Sequence, residues 1–405
     1  RAIGLIAVDT RTHLPVVGMV GGGQLARMTH QAAIELGQSL AVLAQSPDDA
    51  AALVTPNLSI GEPDDLGALR SFAAGCDVLT FDHEHVPGDA LRTLQAEGVA
   101  VYPPPDALRF AQDKAEMRTR LRELGVPVPA FTVCAASDLP AAAEGFAAEH
   151  GWPVVVKTAT GGYDGHGVWM VDGPGDLPPI PGDAPVVIEQ RAPLVRELAA
   201  VVARSPFGQA AAWPVVETVQ RDGICVAVIA PAPGLPDARA TAASDLALRL
   251  AAELGVVGVL AVELFEVPAS PAAPDGLLVN ELAMRPHNSG HWTQDGSVTS
   301  QFEQHLRAVL DYPLGSTAPR APVTVMVNVL GGSDPAGDAV GMDERVHHLA
   351  ARFPDVKVHL YGKAFRPGRK LGHVNVTGSD AGSLRRRAEL AAGWLGSGIW
   401  ADGYT

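Results

Sequence analysis

The stretch at residues 154–168, VVVKTATGGYDGHGV, restricts the fold more than any other part of the chain. Val154, Val155 and Val156 form a β-branched apolar run of the kind that is buried as a strand, and Lys157 closes it. Gly161, Gly162, Gly165 and Gly167 follow at once. Glycines at that density let the backbone approach a ligand and turn its N–H groups toward an anion. A lysine on a strand beside such a loop points to bound phosphate, most simply that of a nucleotide. The plainer reading is a turn between two strands. No Gly-Lys-Ser/Thr ends the loop, so it is not a Walker A loop. Tyr163 and Asp164 at its centre suggest a second ligand, because a simple turn needs neither a phenol nor a carboxylate there.

The chain has 405 residues, enough for two or three domains. It contains no apolar run long enough to span a bilayer. Asp9 interrupts the apolar opening too early for a signal peptide, and residues 1–14 read as an N-terminal extension. A net charge of −15 argues against nucleic acid and anionic membranes as partners. Cys76, Cys134 and Cys225 are scattered, with neither metal-ligand spacing nor a disulfide framework, and a reducing cytoplasm fits them.

A first βαβ unit is predicted from a strand at 14–20, the turn Gly21-Gly22-Gly23-Gln24-Leu25-Ala26, a helix over 25–36 and a strand at 40–43. The turn has the GxGxxA form of a dinucleotide fingerprint. Gln45 stands where that fingerprint requires an acid, which favours a packing turn over NAD binding. A buried strand at 78–81 leads into Asp82-His83-Glu84-His85, at the strand end where open α/β sheets place ligands. A substrate contact by Asp82 or Glu84 fits this position better than a metal does. Residues 107–124 read as one long helix carrying Lys114 on a solvated face.

Downstream, short strands alternate with helices, including a helix expected over 241–254. Two strands, VVGVLAVELFEV and GLLVNELAM, are joined by a Pro-rich loop. Alternation puts Val259, Ala261, Glu263 and Phe265 on one face, and Leu277, Val279 and Glu281 on another. If the strands pair, Glu263 and Glu281 meet. Two unpaired buried carboxylates repel at a cost of several kcal/mol each, so a cation between them is the expected resolution. Oxygen ligands beside a nucleotide suggest magnesium rather than zinc. The donor-rich loop Arg285-Pro286-His287-Asn288-Ser289-Gly290-His291-Trp292 suits a small oxyanion. Near the C-terminus, Lys363, Arg366, Arg369, Lys370 and His373 form a basic knot suited to a substrate phosphate.

Taken in order, GGGQLARM, TFDHEHV, VVKTATGGYDGHG, VIEQ, VGVLAVELF, NELAMRPHNSGHWTQ and FRPGRKLGH resemble the N5-carboxyaminoimidazole ribonucleotide synthetase family, ATP-grasp enzymes of de novo purine synthesis. The resemblance runs from about Pro15 to the C-terminal strands. RPHNSGHWTQ separates it from the similar formate-using phosphoribosylglycinamide transformylases and from biotin carboxylase. It implies an α/β chain of three domains. These are a Rossmann-like domain without NAD at 15–113, an ATP-grasp domain of two α+β subdomains at 114–318, and a small β-rich domain at 319–405. A homodimer is implied as well.

The resemblance also assigns roles. Lys114 and Lys157 contact ATP phosphates, under the loop Gly161, Gly162, Tyr163, Asp164, Gly165, His166 and Gly167. Glu189 and Gln190, followed by Arg191 and Ala192, lie at the adenine, Gln190 through its backbone. Glu197 holds the ribose, and Gln220 falls where some members have a histidine. Glu263 and Glu281, with Asn280 nearby, carry magnesium, for which manganese is an expected substitute. Arg285, His287 and Asn288 hold bicarbonate and, with Lys157, form the catalytic set. Glu84, Tyr163, Asp164, Lys363, Arg369 and Lys370 contact aminoimidazole ribonucleotide. The implied chemistry is phosphorylation of bicarbonate by ATP to carboxyphosphate, then carboxylation of the ribonucleotide amine, with release of ADP and phosphate. The competing readings are another ATP-grasp carboxylate–amine ligase, such as the formate-dependent transformylase, and a Rossmann-type oxidoreductase.

Overall fold

A computed structural model describes residues 9–162, 166–332 and 340–404. Strands β1 (Val16–Val20), β2 (Ser39–Ala44), β3 (Leu58–Ile60) and β4 (Val78–Phe81) form a parallel sheet in the order β3-β2-β1-β4. β1 and β4 are buried along their whole length, as continuous apolar runs in a parallel sheet must be. Helix Gln24–Glu35 covers one face, and helices Leu66–Ala73 and Gly88–Ala96 cover the other.

The glycine turn after β1 closes on the chain itself. Gly23 N–H donates to Asp82 Oδ2 at 2.5 Å. Gly21 has φ +107°, and a Cβ there would sit 1.7 Å from Asp82 Oδ1. A carboxylate therefore fills the space a dinucleotide pyrophosphate would need, while Gln45 Nε2 donates to Glu62 Oε2 at 2.6 Å. Both facts oppose the oxidoreductase reading.

Two helices, Pro105–Gln112 and Lys114–Glu123, replace the single helix expected over 107–124. Asp113, at φ −129° and ψ 111°, breaks them and accepts from Ala115 and Glu116 N–H at 2.8 and 3.0 Å. Such an N-cap is worth about 1 kcal/mol. The break places Lys114 at the first position of a helix rather than midway along a solvated face.

Strands β5 (Phe131–Ala135), β6 (Val154–Thr158), β7 (Val168–Val171) and β8 (Pro185–Gln190) form an antiparallel sheet in the order β5-β8-β6-β7. The remaining strands are β9 (Arg196–Arg204), β10 (Ala210–Ala212), β11 (Val216–Arg221), β12 (Ile224–Ala230), β13 (Gly258–Glu266), β14 (Leu277–Ala283), β15 (Val323–Leu330), β16 (Lys357–Leu360) and β17 (Lys370–Gly378). They build one nine-stranded sheet in the order β14-β13-β9-β11-β12-β15-β17-β16, with β10 on β9. Because β12 pairs with β15, the C-terminal strands extend the central sheet. The helix expected from residue 241 starts earlier, as Asp237–Glu253 behind Pro236. Among the described residues no helix is long and apolar enough to cross a membrane.

β13 and β14 pair antiparallel with Glu263 opposite Glu281, but the register shifts between Glu263 and Leu264. This bulge gives Asn280 no partner of its own and sets Val279 against Leu264. The expected shared face of Leu277, Val279 and Glu281 is therefore broken. Val279 and Leu277 join the core with Leu260 and Val262, while Ala261 and Ala283 lie in a different core.

Helix Gln301–Val309 ties these units together. His305 on it is fully buried, accepts Val259 N–H at Nδ1 (3.1 Å) and lies 2.7 Å from Thr80 Oγ1 at Nε2. One neutral imidazole, protonated at Nε2, thus joins β13 to β4. Burial holds its pKa down to about 3, against 6.5 for a free histidine. The unfolded chain takes up a proton that the native chain refuses, so stability rises with pH across this window and is lost as pH falls through it. Between pH 7 and 5 the group should contribute a loss of about 2 kcal/mol. His305→Gln should start less stable at pH 7 and fall by that much less at pH 5. Thermal midpoints at the two pH values check this, and parallel shifts in both proteins would show that His305 is not the titrating group.

Candidate active site

A cavity of about 1230 Å³ opens between the two antiparallel sheets and the C-terminal end of β4. At its floor lies a buried charge cluster. Glu189, 2% exposed and next to last in β8, has Lys157 Nζ 2.8 Å from Oε2 and Arg118 Nε 2.5 Å from Oε1. Burial would raise its pKa, but the charges of Arg118 and Lys157 outweigh that and hold it at about 2. Arg118 also donates to Val279 O at 3.2 Å, and Lys157 to Asn280 Oδ1 at 3.2 Å. The cluster therefore binds the smaller sheet to β14. Sequence reasoning missed Arg118. The available signal was its place four residues after Lys114, which puts the two on one helix face.

That face turns both cations inward. Lys114 Nζ lies 2.8 Å from Glu281 Oε1. Across the strand pair, Glu263 Oε1 is 3.2 Å from His287 Nε2. Each carboxylate thus has its own partner in place of the shared cation expected from their pairing. His287 Nδ1 accepts Ser289 N–H at 3.3 Å, so the ring's proton sits on Nε2, toward Glu263. Burial pushes Glu263 up, but the bond and charge of His287, with Arg285 and Lys157, hold it low. Glu197 on β9 is pushed up to about 7 by burial and by the charge of Glu263, against a hydrogen bond from Gln220.

The loop after β14 reaches back to the first domain. Arg285 Nε lies 2.8 Å from Glu84 Oε1. Asp82 is taken up by the glycine turn, so of the two acids after β4 it is Glu84 that meets Arg285. Among the described residues, Asn288 Nδ2 is buried without a hydrogen-bond partner. Gln190, Arg191 and Ala192 line the cavity mouth, and Gln190 N–H is spent on Ala130 O at 2.8 Å. Gly161 and Gly162 line it too, and Gly167 fits so closely that a Cβ would meet Thr158 Oγ1 at 2.5 Å. His166 is exposed. Tyr163, Asp164 and Gly165 lie outside the described residues.

The basic knot is divided. Lys370 lines the cavity, and Lys363 donates to Gln24, another lining residue. Arg369 donates to Ala364 O at 3.0 Å, and Arg366 is exposed. His373 does not belong to the knot. It is fully buried, 2.8 Å from the Tyr361 hydroxyl through Nδ1, and burial keeps it neutral.

Among the described residues no group of three or more His, Cys, Asp or Glu side chains is disposed to hold a metal. Glu263 and Glu281, with the Asn280 amide oxygen beside them, offer hard oxygen donors only. That set suits a magnesium ion completed by substrate phosphates.

Two inward-facing lysines beside a glycine-rich segment, between two antiparallel sheets and next to paired carboxylates, are the arrangement of an ATP-grasp ligase. A family model of the ATP-grasp domain matches residues 119–302. Models of the ribonucleotide synthetase preATP-grasp domain and of the phosphoribosylaminoimidazole carboxylase C-terminal domain match residues 14–112 and 324–387. The N5-carboxyaminoimidazole ribonucleotide synthase of Mycobacterium bovis is 62% identical over 96% of this chain and 90% of its own length. A crystal structure of the Thermus thermophilus synthetase superposes with a TM-score of 0.81 at 37% identity, over 95% of this chain and 99% of that one. An Aspergillus clavatus structure, described as a complex with ADP and 5-aminoimidazole ribonucleotide, gives 0.83 at 32% identity, over 95% and 99%. The chain belongs to the N5-carboxyaminoimidazole ribonucleotide synthase family, ATP-dependent ligases of purine biosynthesis.

The floor cluster makes a prediction independent of turnover. Glu189→Gln leaves two buried cations facing a neutral amide and should cost about 3–5 kcal/mol of stability. Chemical denaturation of the purified variant measures it, and a loss below about 1 kcal/mol, the range of exposed pairs, would contradict the buried-anion account.

Proposed function

We propose that the cavity binds ATP and aminoimidazole ribonucleotide together and activates bicarbonate between them. In this reading Lys157, held by Glu189, and Lys114, which exchanges Glu281 for a phosphate oxygen, contact the nucleotide phosphates. The loop from Gly161 to Gly167, Tyr163 and Asp164 included, covers them and excludes water from carboxyphosphate. Gln190, Arg191 and Ala192 border the adenine, with Glu189 as the anchor of Lys157. Glu197 takes the ribose hydroxyls, with Gln220 fixing its carboxyl. Glu263 and Glu281, beside Asn280, would hold magnesium, or manganese in its place. Such an ion, when bound, offsets charge building on the transferring phosphoryl group.

Arg285 and Asn288 hold bicarbonate, the guanidinium by its planar pair of donors and Asn288 by its buried amide. His287, with its Nε2 proton on Glu263, keeps that carboxylate ionised and oriented. Glu84, Lys363, Arg369 and Lys370 hold the ribonucleotide, the cations at its phosphate. A cytoplasmic homodimer belongs to the same reading and is tested by sedimentation. The observation that carries the proposal is chain continuity. The Arg285 loop leaves β14 four residues after Glu281, so the acid is delivered beside the carboxylates that face the polyphosphate.

ADP release that requires both aminoimidazole ribonucleotide and bicarbonate, with label passing from bicarbonate into product, is the expected result. Replacement of bicarbonate by formate as the required acid would move the chain to the transformylase reaction. Arg285→Lys should keep ATP affinity within about twofold but lose roughly 1.5–3 kcal/mol of bicarbonate-dependent stabilisation, one charge-assisted bond's worth. An unchanged bicarbonate response in Arg285→Lys, His287→Ala and Asn288→Ala alike would put the anion elsewhere.

A further inference from the structure

Gln301 lies behind the anion loop, outside the cavity lining, and is fully buried. Its side-chain amide treats His287 as a strand partner would. Oε1 accepts His287 N–H at 2.9 Å, and Nε2 donates to His287 O at 2.8 Å. Nε2 also lies 2.9 Å from His291 Nδ1. His287 N–H requires the oxygen, so the orientation of the amide is fixed and both Nε2 hydrogens are spent. Only glutamine has this reach with an acceptor and two donors on one plane.

The loop is shaped to the amide in turn. A Cβ on Gly290 would stand 2.2 Å from Gln301 Oε1, although Gly290 does not have a positive φ. The helix that carries the amide is anchored independently. Thr293 Oγ1 accepts Gln301 N–H at 2.9 Å, and one turn later His305 binds Val259 and Thr80.

We propose that Gln301 is a positioning residue for the activated acid. By gripping both backbone groups of His287 it sets the height of Asn288 and Arg285 over the carboxylates of β13 and β14. Gly290 is glycine so that the grip can form. This rests on the bicarbonate reading above.

Two full-length variants test it from opposite sides. Gln301→Met keeps the volume and removes all three bonds. Gly290→Ala leaves Gln301 in place and pushes its amide away. ADP release is measured across a bicarbonate series at saturating ATP and ribonucleotide, then across an ATP series, together with the thermal midpoint. Each variant should raise the bicarbonate KM about tenfold or more, the scale of a misplaced reacting group, with the ATP KM within about twofold. Bicarbonate-independent ADP release by the unmodified enzyme would defeat the underlying reading before either variant is considered. With that dependence intact, a native bicarbonate KM in whichever variant folds overturns the proposal. So does an equal rise in both KM values, or failure of both variants to fold, since either marks Gln301 as general support.

Discussion

The buried carboxylate of Glu189 is the point on which the site's geometry rests. It is shared by a lysine from the strand next to its own and by an arginine from a helix at the edge of the first domain. Removing one partner from a buried anion is strongly destabilising, because the remaining charge is left under-compensated away from solvent. Each cation also donates across the gap to the larger sheet, Arg118 to Val279 O and Lys157 to Asn280 Oδ1. One charge cluster thereby sets the distance between the two sheets that enclose the cavity. Packing could bring the sheets together, but packing alone does not specify their register as hydrogen bonds to named atoms do.

A second fastening lies on the far side. His305 joins β4 to β13, and Gln301 on the same helix face joins that helix to the loop after β14. Both are neutral groups with every polar atom assigned, which is the condition under which buried polarity rigidifies rather than destabilises. The Glu84–Arg285 pair completes the contact between the first domain and the loop. Charge therefore sets the floor, and neutral hydrogen bonds set the wall through which the ribonucleotide half of the site is aligned.

Much of this was legible in the sequence where the signal is local. β6 and its lysine, the glycine turn after β1 and the approach of Glu263 to Glu281 follow from short-range patterning and strand pairing. The failures have a common cause. Asp113 looks like one more polar residue in a helix until its side chain is seen to cap the second half. The bulge at Asn280 cannot be read from alternation, because it is a departure from alternation. Arg118, Gln301 and Asp82 act through partners 71, 14 and 59 residues away, so no window on the chain contains both ends. His373 misled because a histidine beside cations in sequence was taken as beside them in space, whereas its strand turns it into a stack with His359 and against Tyr361.

The charges around the cavity are already paired without ligand. Lys114 with Glu281, Lys157 and Arg118 with Glu189, Arg285 with Glu84 and His287 with Glu263 account for the principal charged groups at its floor and wall. Four cations face four carboxylates, and His287 lies against Glu263. Pairing of this kind offsets part of the desolvation cost of each buried charge and leaves each group able to exchange one partner for another. It also means that these groups present no net positive charge to an incoming polyphosphate. A lysine that turns to a phosphate uncovers a carboxylate, and a second anion such as bicarbonate adds to the deficit. A cation that accepts oxygen donors would offset that deficit at the place where the uncovered carboxylates are. Glu263 and Glu281 stand directly opposite each other at that place. The balance of charge thus supports a divalent cation there more strongly than the pairing of two acids alone, since that pairing is already resolved by Lys114 and His287.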